Sequence, residues 1–319
     1  SKNSGNFIFC EQKERLGTGH AVKQATPYIP DTGKTIVLYS DVPLVSAKTL
    51  KKLMRSSLRK KISILTTNLE NPKGYGRVVR SEKQDIEAIR EEADANVKEK
   101  QIQEIFSGIM IVDNVFLKKG LKTLVRNNAA GEYYLTDLVS YAKKTKQKIG
   151  SYLIDQEEVL GANNKQELSE LYKAMVTLNI RAAKQKGTIF KDENTCYVEG
   201  HLKVGKDVKI GNNVTLRGSV QLGDNVIVES NCLISNSKIF KGSIIKDFCS
   251  IEDSKISSNV EVGPFARLRS GAILDSSSKV GNFVEIKNSK IGESSKANHH
   301  AYLGDADIGK KTNIGAGTI

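Results

Sequence analysis

Tryptophan is absent from this 319-residue chain, and only 6% of its residues are aromatic. A conventional aromatic-rich core therefore cannot fill the whole length. Proline is also scarce, with 5 residues against 26 glycines, which indicates many tight turns rather than a proline-rich linker. Long apolar runs are missing too, since none reaches the ~18 residues that a membrane-spanning helix needs. We expect no secretory signal, no membrane-embedded protein and no membrane partner.

Cysteine is sparse and scattered along the sequence. The four cysteines, Cys10, Cys196, Cys232 and Cys249, show no CxxC spacing. Neither a disulfide framework nor a structural zinc site is therefore expected, and a reduced cytoplasmic location fits this use of cysteine. The sequence opens on Ser1 and stops inside a repeat at Ile319. We expect it to be a fragment that lacks both ends of a longer protein.

Positive charge is in excess, with 49 Lys and Arg against 36 Asp and Glu, or +13 overall. Such an excess can attract nucleic acid, an acidic membrane or small anionic substrates. The lysines are spread along the chain, however, and no basic run is interleaved with aromatic residues. We therefore predict solvated lysine-rich faces and no nucleic-acid partner.

An aliphatic residue recurs every six positions in the second half of the chain. One series runs through Val198, Val204, Ile210, Leu216, Leu222, Val228 and Ile234, and it resumes after short steps as far as Ile314. A period of six fits neither an amphipathic helix nor an alternating strand. It predicts a coil with three flat sides of short strands and tight corners of Gly, Asn and Asp. The length allows about seven such coils, each ~4.8 Å high.

The first half shows strands alternating with helices. Apolar, β-rich runs cover residues 35–44, 61–69 and 104–117. The first of them is typical of a buried strand in a parallel sheet, and a helix with Ser46 as its cap follows it. This alternation predicts a Rossmann-like α/β domain.

The boundaries of the domains follow from these patterns. We predict an α/β domain over residues 1–164, a long linker helix within 165–190, and the repeat domain over 191–319. The fold class is therefore α/β followed by all-β.

Asp41 ends the first strand of the α/β half. Ligands of such sheets bind at the carboxyl ends of strands, so Asp41 is placed where a divalent metal and a phosphate could meet. An aspartate after a strand is also a common turn-former, and this alternative stays open at the level of the residue alone. The loop at Gly17 and Thr18 can bring backbone N–H groups to an anion or a base, but a single GTG is weak evidence.

Several longer motifs narrow the choice of protein family. They are QKERLGTGHA, LYSDVPLVSAKTL, NPKGYGRV, NNAAGEYYLTD, GANNKQELSEL, GPFARLRSGA, VGNFVEIKNS, HHAYLGDADIG and NIGAGTI. Together, and in this order, they resemble the bacterial bifunctional N-acetylglucosamine-1-phosphate uridyltransferase / glucosamine-1-phosphate acetyltransferase family. The similarity covers essentially the whole chain.

That resemblance implies a left-handed β-helix that acetylates glucosamine 1-phosphate from acetyl-CoA. It implies an α/β domain that then couples the product with UTP, using Mg²⁺, and releases pyrophosphate. The product, UDP-N-acetylglucosamine, feeds peptidoglycan and lipopolysaccharide synthesis in the cytoplasm. The family also implies a homotrimer with active sites between neighbouring prisms.

The resemblance carries specific residues in the α/β half. Those that match nucleotide, sugar or metal contacts are Gln12, Gly17, Thr18, Tyr39, Ser40, Asp41, Gly76, Glu91 and Asn163. Gln12, Gly17 and Thr18 match the uracil end, while Asp41 and Asn163 match the two Mg²⁺ ligands. Gly76 and Glu91 match sugar contacts.

The same resemblance assigns a second set of site residues, which lie in the repeat half. His299 matches the general base for the glucosamine amine, and an imidazole titrates in the range that this task needs. Arg269 and Lys287 match a sugar-phosphate clamp. Tyr302 and Asn313 match the same sugar-phosphate site, and Ala316 matches an acetyl-CoA contact. Taken alone, His299 would be a surface corner residue.

Some positions depart from the family pattern. Ser40 stands for glycine beside the metal aspartate, and Phe106 stands for an asparagine that hydrogen-bonds the sugar. His300 replaces a leucine, so the motif position alone makes its neighbour His299 the base. The family's glycine-rich phosphate loop and its last coils are missing from the sequence. We therefore expect the 319-residue piece alone to be inactive in uridylyl transfer and weak in acetyl transfer.

Three other functions remain open at this level. The first is a sugar-1-phosphate nucleotidyltransferase whose β-helix is only a scaffold, although a scaffold would not need the clamp residues or His299. The second is a zinc lyase of the γ-carbonic-anhydrase type, which needs three histidine ligands. The four histidines are His20, His201, His299 and His300, and only the last two are close. The third is a non-enzymatic remnant.

Overall fold

The structure is a computed structural model, and it describes residues 7–162 and 164–319. The internal contacts divide the chain into two compact units, Ser1–Leu171 and Tyr172–Ile319. The division falls inside the segment 165–190 that we predict as a linker helix. Among the described residues, no helix is long and apolar enough to cross a membrane.

The first unit is built from short helices around a mixed sheet. Its helices are α1 (Thr18–Ala25), α2 (Ala47–Ser56), α3 (Val97–Lys100), α4 (Asn114–Leu121) and α5 (Asp137–Lys144), and α6 (Lys165–Lys184) continues into the second unit. Its strands are β1 (Lys34–Val37), β2 (Ile62–Asn68), β3 (Arg77–Arg80), β4 (Ile86–Arg90), β5 (Glu104–Asp113) and β6 (Ile149–Leu153). This unit also contains 3₁₀ turns at Thr26–Tyr28 and Gln156–Val159, and a further 3₁₀ turn at Glu193–Thr195 belongs to the second unit.

The sheet has the order β4-β3-β5-β2-β6, with β1 also paired to β5. Only β2 and β6 run parallel, and the remaining pairs are antiparallel. The parallel buried strand predicted over 35–44 is wrong in detail, because β1 is short, half-buried and antiparallel to β5. The nucleotidyltransferase-type α/β layer itself is confirmed.

Capping residues fix where helices α2 and α4 begin. Ser46 caps α2 as predicted, with its hydroxyl accepting from Thr49 N at 3.1 Å. The strand predicted over 104–117 stops at Asp113, because the Asp113 carboxylate accepts from Phe116 N at 3.0 Å and starts α4. An N-cap of this kind satisfies a donor that has no partner within the helix, so the chain turns there.

The second unit is a parallel β-solenoid of about seven turns that matches a left-handed β-helix, as the repeat and the resemblance predict. Its strands are β7 (Ile189–Phe190), β8 (Tyr197–Val204), β9 (Lys209–Ile210), β10 (Thr215–Leu222), β11 (Ile227–Val228), β12 (Leu233–Ser235), β13 (Lys238–Ile239), β14 (Ile244–Ile245), β15 (Ser250–Glu252), β16 (Lys255–Ile256), β17 (Glu261–Val262), β18 (Arg267–Leu268), β19 (Ile273–Leu274), β20 (Lys279–Lys287), β21 (Lys290–Ile291), β22 (Lys296–Gly304), β23 (Asp307–Ile308) and β24 (Asn313–Ile314).

Successive coils stack in register. In the middle of the solenoid each strand pairs in parallel with the strand three further on, as β12 does with β15 and β13 with β16. The strands therefore form three flat columns, and the aliphatic residues of the repeat fill the space between them. Ile234, Ile251 and Ile256 are examples, all essentially inaccessible to solvent.

We expect Ile256→Ala to destabilise the β-helix by about 2–5 kcal/mol, because it removes buried methyl groups and leaves a cavity between coils. Thermal unfolding followed by circular dichroism checks this. The neighbouring exposed Lys255→Ala serves as the control and should change the unfolding free energy by no more than about 0.5 kcal/mol. Equal midpoints for Ile256→Ala and the control would contradict the assigned register.

Candidate active site

A cavity of about 600 Å³ opens in the first unit. Its wall brings together five of the residues predicted for nucleotide, sugar or metal contacts, namely Thr18, Tyr39, Asp41, Gly76 and Glu91. Gln12, Gly17 and Ser40 do not line it, and Asn163 lies outside the described residues. The sequence motifs thus converge on one concave site, although they are spread over some 75 residues of chain.

The glycine loop before α1 is held against the segment around Tyr133. Gly19 N donates to Tyr133 O at 2.8 Å, and Tyr133 N donates to Leu16 O at 2.8 Å. At Gly17, where φ is 99°, a Cβ would lie 2.8 Å from both Glu132 Cβ and Tyr133 O. Only glycine fits this approach. The loop therefore presents Thr18 to the cavity from a fixed backbone.

Gln12 supports the same loop from outside the cavity. Its side-chain amide donates to Gly17 O at 3.2 Å and lies 3.1 Å from His20 Nδ1. In this conformation the amide is used within the protein. A contact between Gln12 and a ligand base would have to share or replace these bonds.

Glu91 forms a second wall together with Gly76. Its Oε1 accepts from the Thr136 hydroxyl at 2.8 Å, and a Cβ on Gly76 would lie 3.3 Å from Glu91 Oε2. Burial raises the pKa of Glu91, and the nearby carboxylate of Asp137 acts in the same direction. The result is a half-buried carboxyl group that can hydrogen-bond the hydroxyl groups of a ligand.

Tyr39 and Asp41 form the third wall. The Tyr39 ring packs on Gly108, where a Cβ would lie 2.6 Å from Tyr39 Cδ2, and burial raises the pKa of the Tyr39 phenol. Ala162 N donates to Asp41 O at 3.3 Å. The main chain at Asp41 therefore lies beside Ala162. Within the described part of the chain, no group of three or more His, Cys, Asp or Glu residues is arranged to hold a metal.

Phe106 also lines the cavity, from strand β5. Only 5% of its surface is exposed, because its ring belongs to the hydrophobic cluster of the sheet. Its backbone N–H donates to Gly76 O at 2.8 Å. The cavity thus has an apolar surface where the family resemblance leads us to expect a hydrogen-bonding asparagine.

A buried arginine behind the cavity loop forms an ion pair that the sequence does not predict. Arg77 is 2% exposed, and its Nη2 donates to Glu92 Oε2 at 2.7 Å. The same carboxylate oxygen accepts from Gly74 N at 3.1 Å, and Arg77 Nη1 also donates to Tyr75 O. Gly74, Tyr75 and Gly76 all line the cavity, so Arg77 is a positioning residue for that wall. The motif GYGR contains it, but the letters do not show that the arginine points inward.

The clamp residues predicted in the β-helix come together on one face. Arg269 and Lys287 lie on adjacent coils, because Arg269 N donates to Ile286 O at 2.8 Å. Lys287 pairs in register with Gly304, and a Cβ on Gly304 would lie 2.7 Å from the Tyr302 hydroxyl. The guanidinium, the ammonium and the phenol therefore share one patch. Glu285 Oε1, which accepts from Arg269 Nη1 at 2.9 Å, borders it.

The remaining predicted residues of the β-helix lie elsewhere. Asn313 pairs with Lys296, in the column of strands that precedes the corner at His299 and His300, whereas the clamp lies on the column that follows this corner. His299 is exposed at the corner itself, with its ring centroid 6.2 Å from that of His300. Ala316 is exposed one coil further along. A single chain thus does not bring Asn313 to the clamp.

Comparison with known proteins fits both halves. Residues 2–158 match the family model described as nucleotidyl transferase, and residues 193–281 match the one described as the GMPPB C-terminal domain. The bifunctional protein GlmU of Acinetobacter baylyi is 44% identical over 315 residues, which cover 98% of this chain and 69% of that protein. The chain belongs to the GlmU family.

Two further GlmU proteins show the same relationship. The protein of Nitrosomonas eutropha is 44% identical over 319 residues, covering 99% of this chain and 70% of its own length. That of Chromobacterium violaceum is 42% identical over 315 residues, covering 98% and 69%. GlmU-family membership confirms the resemblance and makes the chain a bifunctional transferase with uridyltransferase and acetyltransferase activity. The zinc lyase and the non-enzymatic remnant are therefore set aside.

We expect Arg77→Leu to loosen the cavity wall and to destabilise the first unit, because it removes the buried guanidinium that donates to Glu92 and to the Tyr75 carbonyl. Hydrogen exchange at the Gly74 amide should accelerate, since that amide donates to Glu92. Lys143→Ala, which removes an exposed ion pair with Glu87, is the control and should change neither readout. Unchanged exchange at Gly74 in Arg77→Leu would refute the positioning role.

Proposed function

We propose that the GlmU-family protein that carries this sequence catalyses two successive steps of UDP-N-acetylglucosamine synthesis. On the β-helix, acetyl transfer from acetyl-CoA to glucosamine 1-phosphate gives N-acetylglucosamine 1-phosphate. In the cavity of the first unit, uridylyl transfer from UTP to that product releases pyrophosphate. The observation that carries the proposal is the near-complete coverage of the chain by GlmU relatives, combined with one cavity that gathers Thr18, Tyr39, Asp41, Gly76 and Glu91.

The nucleotide end is assigned to the glycine loop. Gln12 donates to the Gly17 carbonyl, and Thr18, which lines the cavity, has a hydroxyl group that suits the polar edge of a uracil. Gly17 precedes it in the loop and is assigned to the same end of the nucleotide. Tyr39 and Ser40 lie on the segment that leads to Asp41 and are assigned to the nucleotide-sugar contacts. Ser40 is exposed, so its extra Cβ and hydroxyl meet solvent rather than a packed core.

The sugar is assigned to the wall formed by Gly76 and Glu91. A carboxyl group in this position can accept hydrogen bonds from two sugar hydroxyls, while the glycine allows the ring to approach the backbone. Phe106 offers only apolar contact on the adjoining surface. The sugar contacts proposed here therefore depend more on Glu91 than the family pattern requires.

Asp41, with Asn163, is assigned to Mg²⁺. The donor set fits, because Mg²⁺ in proteins takes one or two oxygen ligands from side chains and completes its shell with water and substrate phosphates. Asp41 lines the cavity and its main chain contacts Ala162, next to Asn163. When bound, the metal would neutralise charge on the phosphates during displacement.

The displacement itself is a balanced exchange of bonds. A phosphate oxygen of N-acetylglucosamine 1-phosphate forms a bond to the α-phosphorus of UTP, and the bond from that phosphorus to the bridging oxygen of the β-phosphate breaks. Pyrophosphate leaves with the electron pair. The residues of this chain bind and orient the two substrates, which is the larger part of catalysis in phosphoryl-type transfers.

Acetyl transfer is assigned to His299 and the clamp. Arg269 and Lys287 would bind the phosphate of glucosamine 1-phosphate, with Tyr302 and Asn313 on the sugar. The amine must be neutral to attack the thioester carbonyl, and His299 would accept the proton that the nitrogen loses on attack. The C–S bond then breaks and coenzyme A leaves as the thiol. Ala316 is assigned to the acetyl-CoA side of the site.

The biological setting follows from the same assignment. The product would feed peptidoglycan and lipopolysaccharide synthesis in the cytoplasm. The partners are then small-molecule substrates and two further copies of the chain in a homotrimer, with neither nucleic acid nor membrane required.

We expect His299→Ala in the full-length protein that carries this sequence to lose acetyl transfer by about 10²–10⁴-fold, because a general base contributes a factor of that order. Uridylyl transfer should be unchanged. Thiol release that depends on glucosamine 1-phosphate measures the first activity, and pyrophosphate release measures the second. His300→Ala is the matched control and should retain the proton acceptor. If even the wild type released no glucosamine-dependent thiol, the β-helix would be a scaffold and the nucleotidyltransferase-only alternative would stand.

We expect Asp41→Asn to raise the Mg²⁺ concentration needed for half-maximal pyrophosphate release, because an amide oxygen binds a divalent cation more weakly than a carboxylate. Thiol release should not change. Asp31→Asn, at an exposed aspartate outside the cavity lining, is the matched control. An unaltered Mg²⁺ dependence in Asp41→Asn would mean that the aspartate only forms a turn.

A further inference from the structure

Helix α5 is preceded by a threonine whose hydroxyl group does not cap it. Thr136 stands directly before Asp137–Lys144, where a threonine side chain ordinarily accepts a hydrogen bond from the first turn. Here its φ and ψ angles are −62° and −22°, which are helical values, and its side chain makes no capping bond. Only 3% of Thr136 is exposed. The buried hydroxyl group is therefore directed to a partner outside the helix.

That partner is the carboxyl group in the wall of the first-unit cavity. The Thr136 hydroxyl donates to Glu91 Oε1 at 2.8 Å, which is the usual length of an O–H···O hydrogen bond. The second carboxyl oxygen, Glu91 Oε2, faces Gly76, where a Cβ would lie 3.3 Å away from it. Gly76 and Glu91 both line the cavity. The bond to one oxygen therefore fixes the direction in which the other one points.

Packing alone does not account for a threonine at this position. Its neighbours Leu135, Leu138 and Val139 are fully buried, and an apolar side chain of the same shape would suit such surroundings. Burying a hydroxyl group costs free energy unless it finds a hydrogen-bond partner. Among the residues that the structure describes, Glu91 is the only partner of this hydroxyl. The threonine is thus accounted for by the cavity carboxylate.

The same hydrogen bond favours the ionised form of Glu91. Burial raises the pKa of this carboxyl group, the bond from Thr136 lowers it, and the carboxylates of Asp137, Asp94 and Glu132 raise it again. An ionised carboxylate accepts hydrogen bonds on both oxygens, whereas a protonated one has less capacity to accept. Thr136 therefore supports the form of Glu91 that can accept hydrogen bonds from the hydroxyl groups of a sugar.

The residue before Thr136 holds the other end of the cavity. Leu135 N donates to the Thr18 hydroxyl at 3.1 Å, and Thr18 belongs to the glycine loop assigned to the nucleotide. This bond comes from the main chain of Leu135, whereas the bond to Glu91 comes from the side chain of Thr136. A change of side chain at position 136 therefore removes the contact on the sugar side and leaves the donor on the nucleotide side in place.

We propose that Thr136 is a positioning residue for uridylyl transfer, which acts through Glu91 by holding its carboxylate in the direction from which it accepts hydrogen bonds from the sugar. The inference rests on the function proposed above, which assigns the sugar to Gly76 and Glu91. Thr136 does not line the cavity, so it has no contact with the substrate. Because Phe106 offers only apolar contact nearby, the orientation of this one carboxylate decides how well the sugar is held.

Thr136→Val in the full-length protein that carries this sequence tests the proposal, because valine keeps the shape of the side chain and removes its hydroxyl group. We expect the KM for N-acetylglucosamine 1-phosphate to rise roughly tenfold, as the loss of one hydrogen bond to a charged group implies. The KM for UTP and kcat should change by less than about twofold, since the main-chain bond to Thr18 remains. Pyrophosphate release at varied concentrations of each substrate measures all three.

Two matched variants separate positioning from a general loosening of the segment. Thr136→Ser keeps the hydroxyl group and should bring the KM for the sugar phosphate back to within about twofold of the wild type. Thr145→Val removes a hydroxyl group at the other end of α5, where it donates to Tyr141 O at 2.8 Å, and should change neither KM. Equal rises of both KM values in Thr136→Val would indicate a loosened segment and overturn the proposal.

A double-mutant cycle tests whether Thr136 acts through Glu91. In a Glu91→Ala background, Thr136→Val should lower kcat/KM for the sugar phosphate by less than about twofold further, because no carboxylate remains to be positioned. A loss as large as the one in the wild-type background would show that Thr136 acts by another route.

The wild-type protein decides the function on which this inference rests. If it released no pyrophosphate that depends on N-acetylglucosamine 1-phosphate, uridylyl transfer itself would be refuted, and the role of Thr136 with it. If the wild type were active and Thr136→Val kept the wild-type KM for the sugar phosphate, the role of Thr136 alone would be refuted.

Discussion

The hydrogen bonds that stack each coil of the β-helix on the next fix almost every side chain of the second unit. Arg267 pairs with Glu285, and Glu285 pairs with Tyr302, without any slip in register. A residue type repeated at one point of the coil therefore becomes a straight column. The aliphatic core, the clamp patch and the stacked rings of Phe248, Phe265 and Phe283 are all columns of this kind. A slip by one residue would turn the inward column outward, so the same ladder sets core and surface together.

The cavity of the first unit depends on a different constraint, which is close approach of the backbone. A Cβ would lie 2.8 Å from Glu132 Cβ at Gly17, 2.9 Å from Ile89 Cγ2 at Gly76 and 2.6 Å from Tyr39 Cδ2 at Gly108. These three glycines belong to three separate walls. Each lets a neighbouring side chain or loop move in further than any other residue would allow. The concave shape therefore arises from missing side chains as much as from those present.

The sequence alone predicts the repeat well, because each six-residue period corresponds to one flat side of the coil. The sequence also contains the family motifs, which assign Thr18, Asp41 and Glu91 to one binding site. All three line the same cavity. The direction of the strands was harder, since β1 and a parallel strand share the same apolar pattern. The sequence does not predict the buried Arg77 or the exposed stack of Phe248, Phe265 and Phe283. An arginine is ordinarily read as exposed, and a phenylalanine as buried, and here tertiary context reverses both.

Arg267 is a further residue whose surroundings the sequence alone does not predict. In the sequence it is simply a charged residue at a corner, and a solvated side chain is the plainest interpretation. The structure adds that Glu285, its register neighbour, is already engaged by Arg269. This fact depends on which residues share a column of the β-helix, and the sequence alone does not show that.

Phe106 shows that a side chain lining a cavity can differ from the family pattern while the backbone hydrogen bonds around it are kept. Its backbone N–H still donates to Gly76 O at 2.8 Å, so the strand and the cavity wall remain joined. The ring, however, is buried among the apolar residues of the sheet, where an asparagine would need a polar partner. A sugar hydroxyl facing this surface would lose a hydrogen bond and gain none from the ring. Under the proposed function, discrimination between sugars would then come from Glu91, whose carboxyl group already accepts a hydrogen bond from Thr136. The departure from the family pattern would then shift recognition to one carboxylate rather than abolish it.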